Sequence, residues 1–277
     1  MVARLRTFSL AALTLFAASA AKAADYSMPP PPPPVMVQPA QPLASGWYLR
    51  GNVGVGINGA YELDYLKNPL NTNNFRIEHN SIGDSFFIGG GAGYEWNNWL
   101  RFDATVEYRS KSHVYAFGSY TQGGGTFLDT YDGNLSSWLF LANGYVDLGT
   151  WNCFTPFVGA GIGGAYNTLH DFTDIGPQTG GRGFGRNPSE WNLAWALYAG
   201  VAYDVSKSLK VELTYRYLNY GSITDTVDCV GGCRPDSYKF SNLTSNDIML
   251  GLRWICCDLA PPAPPVVYAP PPLRSRG

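Results

Sequence analysis

From Leu100 to Arg109 the chain alternates without a break: Leu100, Phe102, Ala104, Val106 and Tyr108 interleave with Arg101, Asp103, Thr105, Glu107 and Arg109. Successive side chains of a strand point to opposite faces, so the stretch predicts a strand with one apolar face and one fully polar face. The segment Leu209 to Tyr217 repeats the pattern, with Leu209, Val211, Leu213, Tyr215 and Tyr217 set against Lys210, Glu212, Thr214 and Arg216. A helical period of 3.6 fits neither. Six further stretches between Gly46 and Trp254 follow the same template, giving eight predicted strands. Each runs about 10 to 14 residues, roughly twice the usual globular strand and enough for a tilted strand to cross a bilayer.

The predicted connections alternate in length. Those after the second, fourth and sixth strands are tight, at Asn97-Asn98, Gly149 to Asn152 and Val205 to Ser208. Those after the first, third, fifth and seventh are long, near residues 58–84, 110–134, 167–189 and 221–244. Short turns on one side and long loops on the other are the layout of an outer-membrane barrel. The expected fold is therefore all-β: an eight-stranded antiparallel up-and-down transmembrane β-barrel with short periplasmic turns and four long external loops. An even strand count brings both ends of the barrel out on the periplasmic side.

A cation on the lipid face near the bilayer midplane costs about 2 to 4 kcal/mol, so the polar faces must point inward. The expected lumen charge network comprises Arg50, Glu95, Arg101, Asp103, Glu107, Arg109, Lys210, Glu212, Arg216, Asp247 and Arg253, with Asp147 and Asp204 beside it. Unpaired charges away from water are costly, and the mixed signs point to mutual pairing and a plug rather than a pore. On the outside, Trp47, Trp96, Tyr108, Trp138, Trp191, Tyr203, Tyr217 and Trp254 fall towards strand ends as aromatic girdles.

Composition sharpens this. The 277 residues are 45% hydrophobic but only 14% charged, about half the usual charged fraction, which excludes a chain disordered throughout. A formal charge of −2, with no dense Lys/Arg cluster, disfavours a nucleic-acid partner. Residues 1–23 read as a signal peptide, with Arg4 and Arg6, an apolar run from Phe8 to Ala18, and Ala21-Lys22-Ala23 as the cleavage site. No later window is long and apolar enough for a membrane helix. Proline-rich stretches flank the strands, one with six consecutive prolines and one repeating Ala-Pro-Pro, and proline's missing amide donor bars both from a sheet. The expected division is a signal peptide at 1–23, a proline-rich periplasmic segment at 24–45, the barrel at 46–255 and a proline-rich tail at 256–277.

Five cysteines in an exported chain leave at least one without an intramolecular partner. Cys229 and Cys233 enclose Val-Gly-Gly and are expected to form a local disulfide; for Cys256 and Cys257 a vicinal bond, a bond to Cys153 or a link to another molecule all remain open. Two stretches match G-x-G-x-x-G, starting at Gly54 and Gly159, but no amphipathic helix follows either, as a dinucleotide site requires. Their glycines, with Gly89, Gly91 and Gly93, have period two and are expected to make room in the lumen for long side chains from neighbouring strands. His79, His113 and His170 lie in the predicted long loops without chelating spacing, so no metal and no cofactor is expected. The second long loop also holds Tyr115, Phe117, Tyr120, Phe127 and Tyr131, which strand extensions above the membrane explain as well as a binding surface does.

The run Val211-Glu212-Leu213-Thr214-Tyr215-Arg216-Tyr217 with Asn219-Tyr220-Gly221, the closing Leu250-Gly251-Leu252-Arg253-Trp254, and Thr155-Pro156-Phe157-Val158-Gly159-Ala160-Gly161 resemble the small eight-stranded outer-membrane β-barrel proteins of alphaproteobacteria, the porin-opacity or outer-membrane immunogenic protein family. The resemblance covers about residues 46 to 254. The chain departs from that pattern after Trp254, where Ile255-Cys256-Cys257 and the proline tail replace a terminal aromatic residue. The resulting expectation is a non-enzymatic structural protein of the Gram-negative outer membrane. Its expected partners are outer-membrane lipid and lipopolysaccharide, the barrel-assembly machinery, a periplasmic partner of the proline-rich tails and a host or surface ligand at the loops. The alternatives are a narrow porin and a lipid-modifying barrel enzyme, the latter hinted at only by His113 beside Ser112.

Overall fold

The computed structural model describes residues 46–66, 73–230 and 236–256. The predicted signal peptide and both proline-rich segments lie outside the described residues, apart from Cys256, the first residue of the predicted tail. Every described element is a strand: β1 (Gly46–Asn58), β2 (Glu62–Tyr65), β3 (Asn73–Ile82), β4 (Ser85–Glu95), β5 (Leu100–Gln122), β6 (Gly125–Asp147), β7 (Phe154–Gly176), β8 (Gly181–Gly185), β9 (Ser189–Asp204), β10 (Leu209–Val230) and β11 (Asp236–Ile255).

Eight of these are staves. β1 pairs with β4 and the antiparallel ladder continues through β5, β6, β7, β9, β10 and β11. β11 then returns to β1, with Val53 opposite Leu250 and Tyr48 opposite Ile255. The pairing therefore closes on itself and leaves no open edge among the staves. The three short strands lie along the outer halves: β2 on β11, β3 on β5, and β8 between β7 and β10.

The apolar faces are turned outward, the reverse of a soluble barrel. Leu49, Val53, Phe86, Ile88, Leu193, Leu197, Leu250 and Leu252 are all exposed, as a surface bathed in lipid must be. Rings collect at both margins of this band. Trp47 packs on Tyr94 and Phe154 on Tyr203 at the turn side, while Tyr108 packs on Trp138 and Trp195 on Tyr217 at the other.

Three of the predicted long loops are largely strand. β5 and β6 run on past the membrane band and meet in a two-residue turn, Gly123-Gly124, with φ of 59° and 86°, a geometry glycine adopts without steric penalty. β7 and β8, and β10 and β11, extend in the same way. The sequence hides this because the alternation changes phase. In β5 the register shifts between Arg109 and Ser112, so odd residues up to Arg109 face inward and even residues from Ser112 do so afterwards. Comparable shifts occur at Asp171 in β7, Gly221 in β10 and Asn242 in β11, all at positive φ. A bulge adds one residue and flips every later side chain to the other face. Four staves thus carry a bulge just beyond the outer girdle, dividing the barrel into a membrane tier and an outer tier.

Candidate functional site

The strand period aims the polar side chains of the membrane tier into the lumen, where all the predicted charges except Lys210, Glu95, Asp147 and Asp204 are almost fully buried. They form two groups. On the turn side, Arg50 reaches Asp103 at 2.7 Å and Glu212 at 3.4 Å; Glu212 also meets Arg253 at 3.0 Å and Arg101 at 3.7 Å. Arg253 continues to Glu95 at 2.9 Å and Arg101 to Asp147 at 3.2 Å. Towards the outer girdle, Arg216 bridges Glu107 at 2.7 Å and Asp247 at 2.6 Å, and Arg109 binds Asp247 with both nitrogens, at 2.9 and 3.0 Å. Arg109 also donates to Ser85 and Ser245. Lys210 stands apart, paired with Asp204 at 2.9 Å at the turn end and partly exposed.

The guanidinium groups are also stacked on rings. Arg101 lies 4.1 Å from the centroid of Tyr145 and 4.6 Å from that of Phe157, and Arg109 and Arg216 both sit 5.0 Å from Phe87. Such contacts favour a desolvated cation. These rings escaped the sequence reading because each lies one residue from an outward apolar position in an apolar run. The glycines explain how they fit: a Cβ on Gly93 would meet Tyr48, one on Gly159 Tyr145, and one on Gly54 Phe87, each within 2.4 Å. Of the glycines named from the sequence, Gly56, beside Arg109, and Gly89, against Glu107, make room for charged chains as expected. Lumen cavities at these levels have volumes of about 10 Å³, one between Arg50, Glu107 and Arg216 and one beside Arg109, the scale of a single water at most.

Above the bulges the interior is aromatic. Tyr61, Tyr131, Phe172, Tyr238 and Phe240 are buried with Val114, Ile223 and Val227. Ring contacts link Tyr131 to Tyr238 at 5.1 Å, Phe172 to Phe240 at 5.3 Å, and Tyr61 to Phe240 at 5.4 Å.

The three histidines are not brought together. His113 pairs with Asp132 at 2.8 Å on the outer surface, and His170 Nε2 lies 2.9 Å from Ser136 Oγ. Ser112 and His113 face opposite sides of β5: Ser112 is buried and accepts from Asn58, while His113 is exposed. They form no dyad. Burial, with Lys111 nearby, holds the His170 imidazole below its ordinary pKa, but among the described residues no hydrogen bond joins it to a carboxylate. No group of three or more His, Cys, Asp or Glu residues that could hold a metal ion occurs among the described residues. Cys153 and Cys256 are free thiols, so Cys256 makes neither of the intramolecular bonds considered for it. Cys229 is disulfide-bonded, while Cys233 and Cys257 lie outside the described residues.

Residues 8–255 match the family described as outer membrane protein beta-barrel domain. An uncharacterized protein of Brucella abortus is 33% identical over 222 residues, covering 72% of this chain and 76% of its own. A candidate adhesin of Rickettsia conorii is 29% identical over 213 residues, covering 75% and 81%. Among solved structures, the outer membrane protein OprG of Pseudomonas aeruginosa matches with a TM-score of 0.48 at 13% identity, over 77% of this chain and 98% of that one.

Proposed function

The chain belongs to the outer-membrane β-barrel family, and on that premise we propose a non-enzymatic structural role: a lumen plugged by paired charges, with the outer tier as the interaction surface. The observation that carries this reading is the membrane-tier lumen itself. Arg50, Arg101, Arg109, Arg216 and Arg253 each contact a carboxylate. A conducting lumen needs a continuous water path with charges free to meet ions, whereas these charges are spent on one another. Side-chain packing fills an eight-stranded barrel almost completely, in keeping with the small cavities.

With no path through the lumen, the surfaces left for partners are the lipid-facing band, the outer tier and the ends. Girdle rings suit lipid and lipopolysaccharide contact, and the outer tier suits a host or surface ligand; the relative named as a candidate adhesin is in keeping with that use. The barrel-assembly machinery and a periplasmic partner of the proline-rich segments belong to the same proposal. The disposition of Ser112 and His113 speaks against the lipid-modifying alternative.

The test is single-channel conductance of refolded protein in planar bilayers, with a heat-modifiable gel shift proving that the barrel has formed. Folded protein is expected to be silent. Steady open-channel steps from folded protein would overturn the plug and make the chain a porin.

A further inference from the structure

The ladder that closes the membrane tier comes apart above it on one side. β1 and β4 are paired as far as Gly56 and Ser85. Beyond that point the chain of β1 continues into β2, which follows β11, while β4 is preceded by β3, which follows β5. β2 and β3 do not pair with each other, so the wall of the outer tier has a slot between two strand edges. We propose that this slot receives an extended strand of another protein, which completes the wall by main-chain hydrogen bonding. The proposal rests on the reading of the outer tier as the interaction surface and names the form its partner takes there.

The direction of the backbone groups carries this. Leu66 N–H donates to the Ser237 carbonyl at 2.9 Å, and the register places Asp64 opposite Lys239 and Glu62 opposite Ser241. Residues of an antiparallel strand alternate in the side to which they turn their amide and carbonyl. Glu62, Asp64 and Leu66 therefore address β11, and Leu63 and Tyr65 address the slot. Tyr61 shares the orientation of Leu63, and its carbonyl accepts from the Asn80 side chain of β3. Among the described residues no main-chain hydrogen bond reaches Leu63 or Tyr65 across the slot. One free strand edge is already a template for a further strand, and here two edges face one gap.

The slot also selects side chains. Its foot is held by Asn58, which donates to the Gly83 carbonyl at 2.7 Å, and by the contact of Asn80 with Tyr61. Higher up, the Tyr65 ring stacks on that of Phe75 with centroids 5.3 Å apart, giving the inner side an aromatic floor with Leu63 and Ile77 beside it. On the outward side β2 presents Glu62 and Asp64, both exposed. The strand that fits has aliphatic residues towards the rings and lysine at the alternate positions beside Glu62 and Asp64, since cross-strand neighbours of opposite charge attract. Lys239 on β11 and Arg76 on β3 stand near the same acids, which makes charge the smaller part of the selection and the main chain the larger.

This chain has no segment of its own for the place. Tyr48 lies opposite Ile255 at the turn end, so both tails leave the barrel on the far side of the membrane. The six residues 67–72 join β2 to β3. Lining β2 down to Leu63, crossing the slot and climbing to Asn73 takes on the order of 30 Å of chain, whereas six residues span at most about 22 Å.

The test is a titration of refolded full-length protein with a fluorescein-labelled peptide, Thr-Lys-Val-Lys-Val-Lys-Val-Thr, read by anisotropy and by amide exchange. Saturable binding is expected, with exchange at Leu63 and Tyr65 slowed about tenfold. N-methylation of the valines removes donors along one edge of the peptide and keeps its side chains, and should weaken binding about tenfold. Glutamate in place of the lysines should weaken it about threefold, a preference that Glu62→Lys with Asp64→Lys, both at exposed positions, should reverse. Equal binding of the N-methylated peptide, or protection confined to amides outside the slot, would overturn the proposal. Slow exchange at Leu63 and Tyr65 before any peptide is added would also overturn it, by showing the slot already filled. Protection lost on dilution would then assign the filling to a second copy, and protection independent of concentration to residues 67–72. Absence of binding to gel-shift-competent protein would overturn the proposal and leave the plugged lumen standing, because that reading fails only by open-channel steps in the bilayer experiment.

Discussion

The barrel has two interiors, one on each side of the bulges. In the membrane tier the core is made of ion pairs and the outside is apolar; in the outer tier the core is aromatic and many outward positions, such as Lys111, His113 and Asp132, are polar and exposed. One chain of staves is thus built by opposite rules in its two halves. The environment sets the difference. Lipid takes the apolar residues outward and forces the charges to find one another, whereas water above the membrane restores the ordinary arrangement of apolar inside and polar outside. The bulges make the exchange possible, because a one-residue insertion is the smallest change that sends the next side chain to the other face.

The largest expected effect lies in the membrane tier. Asp247 neutralises both Arg109 and Arg216, so Asp247→Ala would leave two buried guanidinium groups with Glu107 as the one carboxylate between them. A loss of about 3–5 kcal/mol is expected, measured as a lower urea midpoint for the gel-shifted form. If Asp247→Ala is no more costly than an outer-tier truncation such as Val227→Ala, the contrast between the tiers fails. Next is Gly56→Ala, whose new methyl would fall 1.9 Å from Arg109 Nη2 and 2.6 Å from Asp247 Oδ1. Overpacking of that kind costs about 1–3 kcal/mol, and the same unfolding experiment should show it. Gly51→Ala, where the nearest atom would stand at 4.0 Å, serves as the near-neutral control.

The smallest effect distinguishes the tiers by pH. Asp129 and Asp174 titrate near 6 and 7 in the folded protein and lower when unfolded. Between about pH 4 and 7 the folded state therefore binds more protons, and stability falls as pH rises through that window. Amide exchange in the outer halves of β6 and β7 should be slower at pH 5 than at pH 8 once corrected for intrinsic chemistry. Faster corrected exchange at pH 5 would contradict the sign.

Much of the membrane tier was legible in the chain. Residues such as Arg101, Asp103, Glu107 and Arg109 repeat with period two, and lipid leaves them only one direction to point. Which acid meets which base was not legible, because Arg50 and Glu212 are brought together only by the closing of β11 on β1. The outer tier was largely misread as loop. A window running through Arg109, Ser110, Lys111 and Ser112 sees the alternation fail, although the strand continues with its faces exchanged. The aromatic residues from Tyr115 to Tyr131 carried the clue, since they are spaced as strand residues once the phase shift is allowed for.

The paired extension of β5 and β6 fixes a height. From Ser110 to Gln122 the ladder rises about 3.4 Å per residue, and at a tilt near 40° its tip stands roughly 30 Å above the outer girdle. The hairpin thus works as a mast rather than a tether. A surface meeting Gly123 and Gly124 encounters a fixed point, free of the ordering entropy a coil of the same length would surrender on contact. Shortening β5 and β6 by matched residue pairs would lower that point in steps while leaving the membrane-spanning part of the barrel intact.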